Sequence, residues 1–185
     1  MLDVNALNEA LGAVGDLLEE RGEHIEVVAI GGGGLILLGL IERSTIDLDL
    51  VGVLVDGRLT KASSLPKPLA DAASDVARVM NLVPTWINAG PAAMLDLGLP
   101  EGFLTRTTRR EFGGLVVHLA SRFDQICFKL YAAADDSPRG KHFADLKQLV
   151  PTRDEVAEAA AWTITHDPSP GFRTILDQVV EALNA

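Results

Sequence analysis

Residues 27–55 read VVAIGGGGLILLGLIERSTIDLDLVGVLV, and the rest of the chain is organised around them. An apolar run ends at Ile30, four glycines follow (Gly31 to Gly34), and a second apolar run leads to Asp47 and Asp49. The pattern predicts a strand, a glycine turn, a short helix and a second strand over 46–55 that carries both aspartates. Side chains two apart on a strand leave by the same face, so Asp47 and Asp49 are expected to point one way, about 7 Å apart. Ile46, Leu48 and Leu50 are expected to point the other way. Two carboxylates beside a glycine bend suit a divalent cation that holds a triphosphate. Backbone amides of a glycine turn entering a helix suit the phosphates themselves. The plain alternative is a tight turn beside a common Asp-x-Asp; the two features together on adjacent elements are more specific than either alone.

The arrangement resembles the nucleotidyltransferase signature of a glycine pair, roughly a dozen residues, then Asp-x-Asp. Within that group it is most similar to the AbiEii and MenT toxins of bacterial toxin–antitoxin systems. Gly31, Gly32, Gly39, Arg43, Thr45, Asp47 and Asp49 stand at the places of their first motif, and Gly34 stands where alanine is usual. A second partial motif lies downstream in FKLYAAADD and KHFADL. Lys129, Leu130 and Ala132 match a helix carrying K-L-x-A. Lys141 or His142, then Asp145 and Leu146, match the helix after it.

The resemblance implies an Mg²⁺-dependent nucleotidyltransferase. Asp47 and Asp49 would be the metal ligands, and Asp47, Asp49, Lys129 and Asp145 the catalytic set. Gly31, Gly32, Arg43, Thr45 and Lys129 would contact the nucleotide or its phosphates. Asp145 has three readings: it holds Lys129, completes the metal site, or activates the attacking hydroxyl. Arg43 contacts phosphate or pairs with an acidic neighbour. Thr45 would be a regulatory phosphorylation site, because a dianionic phosphate beside two carboxylates repels triphosphate. The third acid usual to this fold is missing: Trp86-Ile87-Asn88-Ala89 stands where relatives carry W-L-N-D. Either Asp145 supplies it, or Asp47 and Asp49 hold one metal alone, or the site is lapsed.

Outward from this centre, residues 2–21 have helical spacing, with Leu7, Leu11, Val14, Leu17 and Leu18 on one side. A strand is expected over 25–30 and a turn at Asp56-Gly57. A helix follows over 65–80, then a strand over 83–88 with Trp86 as a core residue, a short helix over 92–97, and a polar loop or hairpin over 99–111. A strand over 115–120, with His118 structural or exposed, precedes helices over 123–134, 142–149, 152–165 and 172–183. The turn at 135–140 has Ser137, Pro138 and Gly140 as breakers. Thr152 with Glu155 three residues on is a capping-box signature.

The 185 residues are 48% apolar, enough for a full core. Cys127, the single cysteine, is expected to be buried. No apolar run reaches the ~20 residues of a membrane span. No basic leader precedes an apolar segment, so a cytoplasmic protein without membrane contact is expected. The net charge of −10 lowers the expectation of general nucleic-acid binding. Basic residues nevertheless gather after Arg106, which leaves RNA open.

The expected fold class is α+β of α/β type. It comprises a nucleotidyltransferase core over 1–120, a small mixed β-sheet flanked by helices, and a C-terminal helical part over 121–185 that completes the active site. By resemblance, the partners are NTP, tRNA extended at its 3′ end with pyrimidine nucleotides, and a cognate antitoxin protein. The alternatives are transfer to a protein or small-molecule hydroxyl, and an inactive nucleotidyltransferase-like binding module.

Overall fold

The structure, a computed structural model, describes residues 1–135 and 140–184. Residues 136–139 of the expected turn lie outside the described residues. The chain forms two compact units: Met1–Leu99 with Phe103–Ala120, and Pro100–Gly102 with Ser121–Ala185. The fold is mixed α+β, with a mixed six-stranded sheet flanked by helices.

In the first unit, helix α1 (Val4–Glu20) buries Leu7, Leu11, Val14 and Leu18. Asp3 caps it by accepting the Ala6 N–H at 2.9 Å. Strand β1 (Ile25–Ile30) runs directly into helix α2 (Gly31–Leu37). The expected glycine turn is therefore the first turn of the helix. Gly31 alone makes the corner, at φ +77°, a conformation that L side chains rarely adopt.

Strand β2 (Leu48–Val55) follows, and Asp56 and Gly57, both at positive φ, close a tight hairpin onto β3 (Arg58–Thr60). Helix α3 (Lys67–Met80) lies on α1. The strand expected over 83–88 shrinks to β4 (Ile87–Asn88). The reason is local: the Trp86 N–H bonds back to the Val83 carbonyl at 3.0 Å, a turn around Pro84. Trp86 is fully buried, and its indole N–H donates to the Ala73 carbonyl at 3.0 Å.

Helix α4 (Met94–Leu97) comes after a 3₁₀ turn (Gly90–Ala93). The polar stretch then supplies β5 (Thr108–Phe112), an edge strand with four exposed residues, which pairs with β6 (Leu115–Leu119). The sheet order is β3-β2-β1-β6-β5, and β4 adds to β2. β1 is the hub. It runs antiparallel to β2 and parallel to β6, with a bulge between Val28 and Ala29. That bulge shifts the register so that Ile30, the last residue before the glycines, lies opposite Asp49.

The second unit is helical: α5 (Arg122–Asp135), α6 (Lys141–Leu149), α7 (Arg153–Thr163) and α8 (Pro170–Asn184). The side expected to be buried on α5 held Phe123, Ile126, Cys127, Leu130 and Ala134. Phe123 is only half-buried, whereas Asp124, Gln125, Phe128 and Lys129 are buried as well. α6, α7 and α8 all pack against α5, which leaves it no broad solvent face. Cys127 is buried. The capping box at Thr152 and Glu155 is present, with both reciprocal bonds made. Among the described residues, no helix is long and apolar enough to cross a membrane.

Candidate active site

Three chain segments meet at one end of the β1–β2 pair. The first is the glycine run. A Cβ built on Gly31 would lie 2.7 Å from Asp49 Oδ2. One on Gly32 would lie 2.6 Å from Nη2 of Arg43, and one on Gly33 would lie 2.9 Å from the Asp47 carbonyl oxygen. At Gly33 a side chain would meet backbone and at Gly31 the positive φ disfavours one, whereas at Gly32 it would displace the far end of the Arg43 side chain. Gly31 and Gly33 are therefore packing and conformational requirements of this corner.

The second segment leads into β2 and differs from expectation. Asp47 sits just before the strand, not within it, and Ile46 is 53% exposed where it was expected beside the buried Leu48 and Leu50. The cause lies far away in sequence. Thr45 forms an isolated bridge with Leu2: the Leu2 N–H donates to the Thr45 carbonyl at 2.6 Å, and the Thr45 N–H returns to the Leu2 carbonyl at 2.9 Å. Pinned there, the chain bends at Ile46, and the two-residue period begins only at Leu48.

The Thr45 hydroxyl donates to Asp47 Oδ1 at 3.1 Å, so these two side chains do meet. Thr45 is 6% exposed, so a phosphorylating enzyme would need the segment to open. Asp47 and Asp49 are each partly exposed. Arg43 is partly buried and donates from Nη1 to the Ser44 carbonyl at 3.0 Å.

The third segment is β4. In the parallel ladder Asn88 lies opposite Asp49, and its Nδ2 donates to Asp49 Oδ1 at 3.1 Å. The expected acid is missing at Ala89, and the amide beside it, Asn88, touches the motif carboxylate. Sequence reasoning noted that Asn88 and then Ala89 stand where relatives carry an acid after asparagine, but gave Asn88 no contact with Asp49. It gave Leu2 and Arg110 no role at this site. Arg110, on β5, donates from Nη2 to the Leu37 carbonyl at 3.1 Å and so ties down the far end of α2.

The oxygen set suits a hard cation. Mg²⁺ commonly takes one or two carboxylates and completes its shell with substrate phosphates and water. Asp47 and Asp49 supply two such carboxylates; Asp47 accepts from the Thr45 hydroxyl and Asp49 from the Asn88 amide. Among the described residues, no group of three or more His, Cys, Asp or Glu could hold a metal by itself.

Lys129 and Asp145 meet within the second unit. Lys129 Nζ lies 2.7 Å from Asp145 Oδ2, with the two side chains 5% and 1% exposed. Asp145 is thus the partner of Lys129, the first of its three readings. Lys141 and Lys147, which an exposed helix acid would pair with, are at other positions of α6. Asp124, at the start of α5, is also buried, and the Ser121 hydroxyl donates to it at 2.5 Å.

A cleft of about 660 Å³ opens at the opposite end of β1 and β2, lined by residues such as Glu23, Glu26, Val55, Asp56 and Pro66. It contains none of the candidate residues. His118, at mid-sheet, lies 2.8 Å from Glu26 through Nε2, which fits a structural role.

No protein-family model, curated protein or solved structure matches the chain.

Proposed function

We propose that the protein is an Mg²⁺-dependent nucleotidyltransferase with a nucleotidyltransferase-type core, and that it transfers a nucleoside monophosphate from an NTP to a hydroxyl. One observation carries the reading: a glycine corner in which Cβ atoms on Gly31, Gly32 and Gly33 would come within 3.0 Å of Asp49 Oδ2, Arg43 Nη2 and the Asp47 carbonyl oxygen. A glycine corner against the Asp49 carboxylate and a guanidinium, with Asp47 two residues before Asp49, suits a triphosphate and its cation.

In this reading Asp47 and Asp49 hold Mg²⁺, which when bound neutralises charge on the triphosphate. Gly31 and Gly32 let Asp49 and Arg43 close onto the backbone, and Arg43 offers a planar cation to the phosphates. Thr45 orients Asp47 through its hydroxyl. Lys129 and Asp145 belong to the proposal through their match to the second motif; Asp145 holds Lys129 by a buried contact at 2.7 Å. The acceptor proposed from the resemblance is the tRNA 3′ end, with a pyrimidine nucleotide added, and the biological role is that of a toxin paired with an antitoxin.

Incubation with each of the four α-labelled NTPs, Mg²⁺ and total tRNA tests this. The expected result is label on tRNA, most strongly with a pyrimidine NTP, and none with Asp47→Asn. Label on protein or a small molecule would keep the chemistry and replace the acceptor, an outcome the acidic charge makes worth measuring. No label on any acceptor with any NTP would overturn the proposal.

A further inference from the structure

The geometry points to Asn88 as a positioning residue that fixes the orientation of Asp49; this inference rests on the cation-dependent reading of that site. Asn88 is locked at both ends of its amide. Its Oδ1 accepts the Gly90 N–H at 2.9 Å, and its Nδ2 donates to Asp49 Oδ1 at 3.1 Å.

A backbone N–H can only meet an acceptor, so the oxygen must face Gly90 and the NH₂ must face Asp49. The amide cannot flip without losing both bonds. Asp49 Oδ1 is thereby tied to Asn88, while Oδ2 lies against the Gly31 corner, where a Cβ would come within 2.7 Å. Rotation of the carboxylate is restrained from two sides, by a hydrogen bond and by packing.

The residue type is decisive here. Aspartate at 88 could still accept from Gly90 but would turn its second oxygen towards Asp49 Oδ1. Leucine would make neither bond. Only a short amide donates to Asp49 and accepts from Gly90 from this position on β4. Asn88 also leaves the local charge to Asp49, so a divalent cation would meet two carboxylates, not three. Partners that orient a metal ligand are typically worth about 10- to 100-fold in metal affinity.

Gly90 offers an independent handle. A Cβ on Gly90 would lie 2.9 Å from Asn88 Oδ1 and near no other atom, so Gly90→Ala displaces the amide while leaving Asp49 and the glycine corner untouched.

The test is thermal melting of the full chain, wild type, Asn88→Asp, Asn88→Ala and Gly90→Ala, first without divalent cation and then across an MgCl₂ titration with a non-hydrolysable NTP. Without cation, Asn88→Asp should melt below the wild type, because two carboxylates face each other. Rising Mg²⁺ should reverse that order, so that Asn88→Asp gains more than the wild type. Asn88→Ala should need about tenfold more Mg²⁺ for the same NTP-dependent shift, and Gly90→Ala should fall between it and the wild type. An Asn88→Asp protein that melts like the wild type without cation, or wild-type Mg²⁺ requirements in both Asn88→Ala and Gly90→Ala, would overturn the inference. If the wild type shows no Mg²⁺–NTP shift at all, the nucleotide reading fails instead, and the cation-free comparison still decides the Asn88–Asp49 contact.

Discussion

Asp49 and Asp145 are the same functional group held in opposite ways. Asp49 lies partly exposed at a strand end, with a neutral amide on one oxygen and a glycine corner beside the other. Asp145 is 1% exposed on a helix and faces the ammonium of Lys129 at 2.7 Å. A carboxylate that stays partly exposed at a strand end can be reached by a ligand. A carboxylate buried against a lysine spends that charge on the fold, since removing either member leaves an uncompensated buried ion. The difference is one of access and burial, and each half of the comparison can be broken by substitution.

The largest effect is expected at the first region. Asp47→Asn and Asp49→Asn should each lower transfer activity by more than about a hundredfold while leaving the far-UV spectrum unchanged. Loss of fold in both would erase the contrast with Asp145. At the second region, Lys129→Met alone should destabilise the protein by about 3–5 kcal/mol, read by denaturant unfolding, and Lys129→Met with Asp145→Leu should recover most of it. The double variant then isolates chemistry from folding: folded and inactive assigns Lys129 to the reaction, and folded and active assigns the pair to the core.

A smaller effect distinguishes packing from backbone strain. Gly31 and Gly39 both have positive φ, but a Cβ on Gly39 meets nothing within 4 Å, whereas one on Gly31 meets Asp49. Gly39→Ala should cost roughly 1–2 kcal/mol of stability and little activity. Gly31→Ala should cost at least as much stability and most of the activity. Equal activity in the two would mean that contact with Asp49 is irrelevant.

The smallest expected effect is an acid one, in the second unit. Burial pushes the Glu155 carboxyl upward, but bonds from Arg122 and Thr152 together outweigh it and hold the group below its ordinary value of 4.5. A carboxylate with a lowered folded value contributes stability that is present above the unfolded value and lost as pH falls through the folded one. Glu155→Gln should therefore narrow the stability gap to wild type below pH 4.5, with the full difference present near neutrality. A constant difference across that window would remove the linkage.

How much of this was legible in the sequence follows from the range of the interactions. α1, β1, the Asp56-Gly57 hairpin and the capping box at Thr152 depend on patterns a few residues long, and the chain displays them openly. The start of β2 was misread because Leu2, more than forty residues away, pins Thr45 and bends the chain before Asp47. β4 was overextended because a turn at Pro84 consumes most of its expected length. α5 looked one-sided because helix periodicity registers apolar residues and overlooks buried Asp124, Gln125 and Lys129. Within the site, the glycine run and Asp-x-Asp were visible, and so was the pairing of Lys129 with Asp145 as one of three options. Asn88 was not recognisable as a partner of Asp49, since only the parallel β2–β4 register brings the two together.

Equilibrium binding of a non-hydrolysable NTP, measured by calorimetry with and without Mg²⁺ for wild type and Asp49→Asn, bears most directly on the glycine corner and its two acids. Binding by the wild type that requires Mg²⁺ and disappears in Asp49→Asn is the predicted result. Binding that ignores the cation, or that survives in Asp49→Asn unchanged, would contradict it.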